Sequence, residues 1–353
     1  MSESNPSSGS PKKKWWLYIA TFLVLGVAIH LLLPQISMIE KSLGVLKNMT
    51  WWLVALAISA QVLSYAGSGY ILKAIVATRQ QYFSIWRGAL ITLASYSVGF
   101  VAGGWIGGIA ATYGWMSKDK TNSDSAAVVS ILPALLNDAA LTAVSIIGMV
   151  YLFIVHDLKK SQIFYYGLVL VLLSALVLIT VMAVKRPGIV KKPAVWLGAK
   201  WAKIRHQEYQ PEETIASVDR IMDAWKSLDK GRWVKPTLGA FANVGFDMLT
   251  LYLVFLAAGY RLSLGVLFAG YSLPLMLGKI AFILPGGIGL IETSMAVLFV
   301  SLKAPSDVAV ISILGYRLLS FWLPTLFGFL AAIYLGRQEP AKPSDKDFSP
   351  KSG

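Results

Sequence analysis

The chain has 353 residues, of which 56% are hydrophobic and 14% charged, a formal charge of +14, and no cysteine. A soluble domain carries about 25% charged residues, so this chain has too few to cover a water-facing surface, and disulfides, thiolate metal sites and cysteine nucleophiles are excluded together. The excess of Lys and Arg falls between apolar blocks and at the termini, the positive-inside pattern, and not in a nucleic-acid-binding patch.

Residues 1–14 are rich in Ser, Pro, Gly and Asn and end in Lys12, Lys13 and Lys14. They are expected to form a disordered basic tail with no cleavable signal peptide. Trp15 and Trp16 mark an interface, and a first span is predicted from about Leu17 to Leu33. Trp51 and Trp52 mark the next interface, and a second span runs to about Leu72.

The block from Gly88 to Met116 is apolar yet holds Gly99, Gly103, Gly104, Gly107, Gly108 and Gly114. Another apolar block runs from about Ala126 to Val155 and contains Pro133, Asn137 and Asp138. The last of this half runs from about Ile163 to Val184. These blocks make residues 15–184 a first membrane half, with the Gly-rich element at 88–116.

Residues 185–236 form the longest polar stretch. From Lys185 to Arg205 there are seven Lys and Arg and no acidic residue, so export of this stretch is disfavoured and it is expected in the cytoplasm. Ile215, Val218, Met222, Trp225 and Leu228 recur at three- and four-residue spacing, which predicts an amphipathic helix ended by Gly231. It lies on the bundle or the headgroups, or it docks a lipid-modifying enzyme. The second membrane half, 237–336, contains a span to about Ala258, a block at 264–302 broken by Pro274 and by Pro285-Gly286-Gly287, and a span from Val308 to Leu335. Residues 337–353 are a polar tail.

With a cytoplasmic N-terminus, counting each apolar block before Lys185 as one crossing gives five, which exports the basic stretch. One block must therefore enter and leave on one side, or be two crossings. The element at 88–116 is the candidate, as two arms of about ten residues, or about 15 Å each, meeting near the midplane. The block at 264–302 has the same build and enters from the opposite face, as a hairpin or as two short spans. Gly103-Gly104-Trp105-Ile106-Gly107 resembles Gly286-Gly287-Ile288-Gly289 after one gap. Together these features predict an all-α polytopic bundle of about six full spans and two broken elements, arranged as an inverted repeat.

Ionisable residues at membrane depth are rare and need partners. Here they are Asp138, Asp247, Lys279, Glu292 and Arg317, with Asn137, Asn243, Tyr271 and Tyr316 as uncharged companions. Asn243 and Asp247 share a helix face. A hairpin bent at Pro285 to Gly287 brings Lys279 and Glu292 to similar depth, so a Lys–Glu pair is reasonable there. Arg317 has Glu292, Asp247 or a phosphate as possible partners. These groups are either buried pairs that hold helices together or the lining of a cavity for an anionic headgroup or a coupling ion. The amides of Pro285 to Gly289 near a helix start are a generic anion seat. His30, His156 and His206 have no metal-site spacing, and neither a metal nor a cofactor is expected.

Pro285-Gly286-Gly287-Ile288-Gly289-Leu290-Ile291-Glu292 resembles the PGGxGxxE signature of the lysylphosphatidylglycerol synthase transmembrane-region family of flippase-like membrane proteins. Gly315-Tyr316-Arg317-Leu318 with Trp322, Pro324 and Gly328 resembles the helix that follows it in that family. Trp105-Ile106-Gly107-Gly108-Ile109 resembles the first Gly-rich motif of the stand-alone branch. Many members have a Glu after those glycines, where this chain has Ile109, so a charged role there is not carried over. The expected chain has no fused aminoacyl-transferring domain. The resemblance implies lipid translocation or an accessory role in envelope lipid metabolism. Together with the paired broken elements and the charges at membrane depth, it predicts a headgroup groove lined by Lys279, Pro285, Gly286, Gly287, Gly289, Glu292, Tyr316, Arg317, Asp247, Asn243, Asp138, Trp105, Gly107 and Gly108. The implied setting is a prokaryotic cytoplasmic membrane with both termini inside, membrane lipids as partners, no nucleic acid and no catalysis. Competing readings are a lipid-metabolising enzyme, a scaffold for a synthase or glycosyltransferase, and an ion-coupled carrier.

Overall fold

The computed structural model describes residues 49–77, 83–102, 104–118, 123–155, 188–205, 233–280 and 285–337, with scattered positions in 164–186 and 209–219. Residues 1–48 make up a separate unit. The span predicted at Leu17–Leu33, most of the block at 163–184 and the second part of the amphipathic helix predicted over 215–228 lie outside the described residues.

The described helices are α1 (Trp51–Ala77), α2 (Ile85–Val101), α3 (Trp105–Lys118), α4 (Ser123–Val155), α5 (Gly188–Arg205), α6 (Val234–Ala257), α7 (Leu264–Ile280), α8 (Leu290–Ser301), α9 (Ser306–Arg317) and α10 (Leu323–Arg337). A π turn, Leu318–Trp322, joins α9 to α10, so that Ser306–Arg337 is one helix. Four helices are long and apolar enough to cross a membrane: α1, most of α4, α6 and α9–α10. Their outward side chains are apolar as well; Leu326, Phe327, Leu330 and Ile333 on α10 are all exposed. An exposed stripe of that kind on helices this apolar requires lipid as its solvent. The chain is an integral membrane protein built as an all-α bundle.

Each Gly-rich block is broken. The first divides at 102–104 into α2 and α3. The second divides between Ile280 and Leu290, around a short turn at Pro285–Gly287, into α7 and α8. The arms of the first have 17 and 14 residues, or about 26 and 21 Å, where ten were expected. The additional residues lie at the outer ends, near Trp86 and Lys118, where the chain can leave the hydrocarbon. Pro133 does not end α4, which runs unbroken through it.

The order long helix, broken pair, long helix therefore occurs twice. Its members α1/α6, α2/α7, α3/α8 and α4/α9 start at Trp51/Val234, Ile85/Leu264, Trp105/Leu290 and Ser123/Ser306, a near-constant offset of about 180 residues. The first corresponding pair, α1 and α6, runs antiparallel. Along the α1–α6 seam Thr50 meets Ala257, Ala57 meets Thr250 and Ser64 meets Asn243, so a step up one helix is a step down the other. The hairpins are exchanged between halves. Arm α2 lies antiparallel along α10, with Ser97 donating to the Thr325 carbonyl at 2.8 Å. Arm α7 lies antiparallel along α4, with Ser145 against Met276 and Gly148 against Ala269. This is the packing an inverted repeat requires.

Close approach at these seams depends on small residues, as expected where lipid supplies no hydrophobic drive between helices. The tightest approach of backbone to backbone is at α1–α2. A Cβ on Gly69 would lie 2.1 Å from the Ile85 carbonyl oxygen and 2.6 Å from the Ala89 nitrogen, both rigid backbone atoms. Gly69→Ala is therefore expected to destabilise the fold by about 1–3 kcal/mol through overpacking. Gly245→Ala, whose Cβ would meet nothing within 4 Å, should be neutral or stabilising by up to about 1 kcal/mol. Thermal unfolding in detergent checks the contrast, and equal melting temperatures for the two variants would contradict it.

Candidate functional site

Breaking a helix inside an apolar layer leaves amides and carbonyls unpaired, and each must find a protein partner. At the second break the sequence provides for this. Gly286, Gly287 and Gly289 have φ of 64°, 64° and 82°, left-handed values that glycine adopts without a Cβ penalty. Leu290 then begins α8, and Glu292 in its first turn reaches back to accept the Gly289 N–H at 2.7 Å. Its other oxygen accepts Arg317 Nε at 2.6 Å. The Arg317 guanidinium also donates to the Gly286 carbonyl at 3.1 Å and stacks 4.2 Å from the Phe321 ring. Side-chain exposures of 5% for Arg317 and 12% for Glu292 place this pair inside the protein. Arg317 thus braces the PGG turn from the opposing helix.

Lys279, at the end of α7, pairs with Asp138, midway along α4, and not with Glu292. The expected Lys–Glu pair does not form because Glu292 is turned toward its own helix start and Arg317. The Lys279–Asp138 pair is open, with side chains 51% and 31% exposed. A charged pair at this depth cannot face lipid tails without a large penalty, so it faces a polar space. Tyr96 of α2 marks the same space. It is within electrostatic reach of Asp138 and Asp247, and 56% of its surface is accessible.

Asp247, midway along α6, is partly accessible. It accepts hydrogen bonds from Tyr271 of α7 at 2.8 Å and Tyr316 of α9 at 2.7 Å, both on Oδ2. The two rings meet edge-on at 6.3 Å. The Gln61 side chain of α1 is directed at the same carboxylate.

The remaining predicted positions stand apart from this cluster. Asn243 clamps the α1–α6 seam, its amide donating at 2.9 Å to the carbonyl and hydroxyl oxygens of Ser64. Gly107 and Gly108 close the first hairpin, where a Cβ on Gly107 would lie 2.4 Å from the Ala102 carbonyl oxygen. Trp105 begins α3, and Pro285 begins the turn. Sequence reasoning passed over Tyr96, Gln61 and the pair Phe100–Phe321, whose rings meet edge-on at 5.7 Å. A tyrosine in an apolar block is not distinguishable in sequence from an interfacial anchor. Among the described residues no group of His, Cys, Asp and Glu is placed to hold a metal ion.

The two ion pairs differ in burial and therefore in worth. Arg317→Met leaves Glu292 buried without a partner and should cost about 3–5 kcal/mol. Lys279→Met acts on an open pair and should change stability by no more than about 1 kcal/mol. Chemical unfolding in mild detergent separates them, and equal losses would refute the assignment of one pair as brace and the other as chamber lining.

A profile of the lysylphosphatidylglycerol synthase TM region matches residues 15–328. Among curated proteins, a UPF0104 membrane protein of Methanocaldococcus jannaschii is 26% identical over 189 residues, 53% of this chain and 55% of that one. One from Methanothermobacter thermautotrophicus is 31% identical over 130 residues, 36% of each chain. One from Pyrococcus horikoshii is 32% identical over 99 residues, 28% of this chain and 29% of that one. The matched segments span about half or less of these relatives' lengths.

Proposed function

The chain belongs to the lysylphosphatidylglycerol synthase TM region family, and we propose that it translocates a polar or anionic lipid headgroup across a cytoplasmic membrane without chemical change to the lipid. The observation that carries this reading is the open Lys279–Asp138 pair beside the accessible Tyr96. A headgroup needs a polar path through the apolar layer while its tails stay in lipid. The chamber offers a cation for a phosphate, a carboxylate for an amine or hydroxyl, and phenol hydroxyls for sugars or glycerol.

The repeat supplies a route for alternation. Both breaks touch the midpoint of a long helix from the other half: Lys279 at Asp138 of α4, and Phe100 at Phe321 of the π turn. These contacts occupy equivalent places in the two halves, one charged and one aromatic. In the proposed cycle the charged contact opens when a headgroup phosphate competes for Lys279. The hairpin α7–α8 then moves against α4 while the aromatic contact holds the other side closed. Both termini and residues 185–236 face the cytoplasm in this reading.

A second reading, an accessory surface for a lipid-synthesis enzyme, has one observation in its favour. Helix α5 presents exposed Trp196 with Lys200 stacked 5.1 Å from its ring, on a segment without acidic residues. That surface suits an acidic partner or anionic headgroups equally, so it does not displace the first reading.

The test is a dithionite-quenching assay on phosphatidylcholine proteoliposomes that carry a trace of fluorescent phosphatidylglycerol. Lys279→Gln should slow inward movement of the probe about tenfold, the effect of one lost charge-assisted hydrogen bond, with stability retained. Unchanged rates in Lys279→Gln and Asp138→Asn together would remove the chamber from the transport path.

A further inference from the structure

At the level of the breaks stand three carboxylates, Asp138, Asp247 and Glu292, and two cations, Lys279 and Arg317. Two ion pairs use four of them. Asp247 is the remainder and forms no ion pair among the described residues. The nearest guanidinium, on Arg317, is committed to Glu292 and to the Gly286 carbonyl. Three helices packed against α6 turn side chains toward Asp247. Gln61 and Tyr65 come from α1, Tyr271 from α7, and Tyr316 and Arg317 from α9. Tyr96 of α2 stands within electrostatic reach both of Asp247 and of Asp138 of α4, which pairs with Lys279. None of these supplies Asp247 with a free positive charge.

The geometry points to a proton: we propose that Asp247 is a proton-binding site whose occupancy is coupled to the chamber, taking up a proton when an anionic headgroup enters beside Lys279 and releasing it when the headgroup leaves. Both tyrosine hydroxyls donate to the same oxygen, Oδ2. In the neutral acid Oδ2 is the carbonyl oxygen and still accepts both bonds, and the proton sits on Oδ1. The cage therefore holds either charge state without rearrangement. A metal cation would need the hydroxyl lone pairs turned toward it, which breaks both bonds. The coupling is electrostatic. An anion brought near a carboxylate in a medium of low dielectric favours the neutral acid, and binding takes up a proton. By linkage, affinity for an anionic headgroup then rises as pH falls, by at most about tenfold per pH unit for one proton. No covalent or redox step is involved; the proton is exchanged with water in the chamber.

This inference deepens the translocation reading and rests on its headgroup chamber, but its test does not require movement across a membrane. The full chain in phosphatidylcholine nanodiscs, in weak buffer with a pH-sensitive dye, is mixed with short-chain phosphatidylglycerol. The wild type should take up as much as one proton per chain on binding, and Asp247→Asn none. Proton release, or equal uptake by Asp247→Asn, would overturn the proposal. If phosphatidylglycerol does not bind at all, the headgroup reading fails. The site is then judged alone by infrared pH-difference spectra, where a titrating carboxyl band present in the wild type and missing in Asp247→Asn supports it and an unchanged band refutes it. Should Asp247→Asn not fold, Tyr316→Phe keeps the ring packing and removes one donor. The midpoint of its pH dependence should move, and an unmoved midpoint counts against the proposal.

Discussion

A helix broken inside an apolar layer leaves backbone groups that lipid cannot satisfy, and the rest of this structure is organised around supplying their partners. At the second break one buried ion pair does most of that work. Glu292 takes an amide of the turn, Arg317 takes a carbonyl of it, and each neutralises the other. Neither side chain would be tolerable buried alone, and together they satisfy the turn's backbone groups. The first break uses backbone alone: Ala102 and Gly104 donate to Val98 and Gly99, and Gly108 donates to Gly104. Small residues make that possible, because the two arms come close enough for Thr112 to reach Ser95 at 2.7 Å.

From those two solutions follows the asymmetry of the site. The inverted repeat places each break against the midpoint of a long helix from the other half. On one side the contact is aromatic, Phe100 edge-on to Phe321. On the other it is Lys279 with Asp138, open to a polar space. A symmetric scaffold thus carries its polar groups toward one hairpin. Tyr271 and Tyr316, both buried, hold Asp247, and Tyr96 stands within electrostatic reach of Asp247 and of Asp138 in the open pair. Hydroxyls and one odd carboxylate give the chamber hydrogen-bonding capacity without filling it with fixed charge.

Much of the architecture was legible in the sequence because membrane burial writes simple rules. Apolar block length located the long helices to within a few residues, and the conflict between five crossings and a basic loop identified the block at 88–116 as broken. The motif at Pro285–Glu292 located the second break. What the sequence did not reveal is pairing. Lys279 and Glu292 are nearly equidistant from Pro285, which made a pair plausible. Glu292 instead caps its own helix, and Lys279 meets a residue on a helix whose proximity arises only from the exchanged hairpins. The π turn at 318–322 has no sequence signal, since its residues suit an ordinary helix. Tyr96 was unreadable for the same reason as any aromatic in an apolar block, because facing lipid, core or chamber is decided by packing.

The account stands on a polar chamber that opens at mid-depth between the two hairpins. The chain has no cysteine, so a single introduced thiol reports without background. In sealed proteoliposomes, Tyr96→Cys should react with a membrane-impermeant thiol reagent, while Phe327→Cys, equally exposed on α10 but facing lipid, should not. A folded Tyr96→Cys protein that reacts no faster than Phe327→Cys would contradict the chamber.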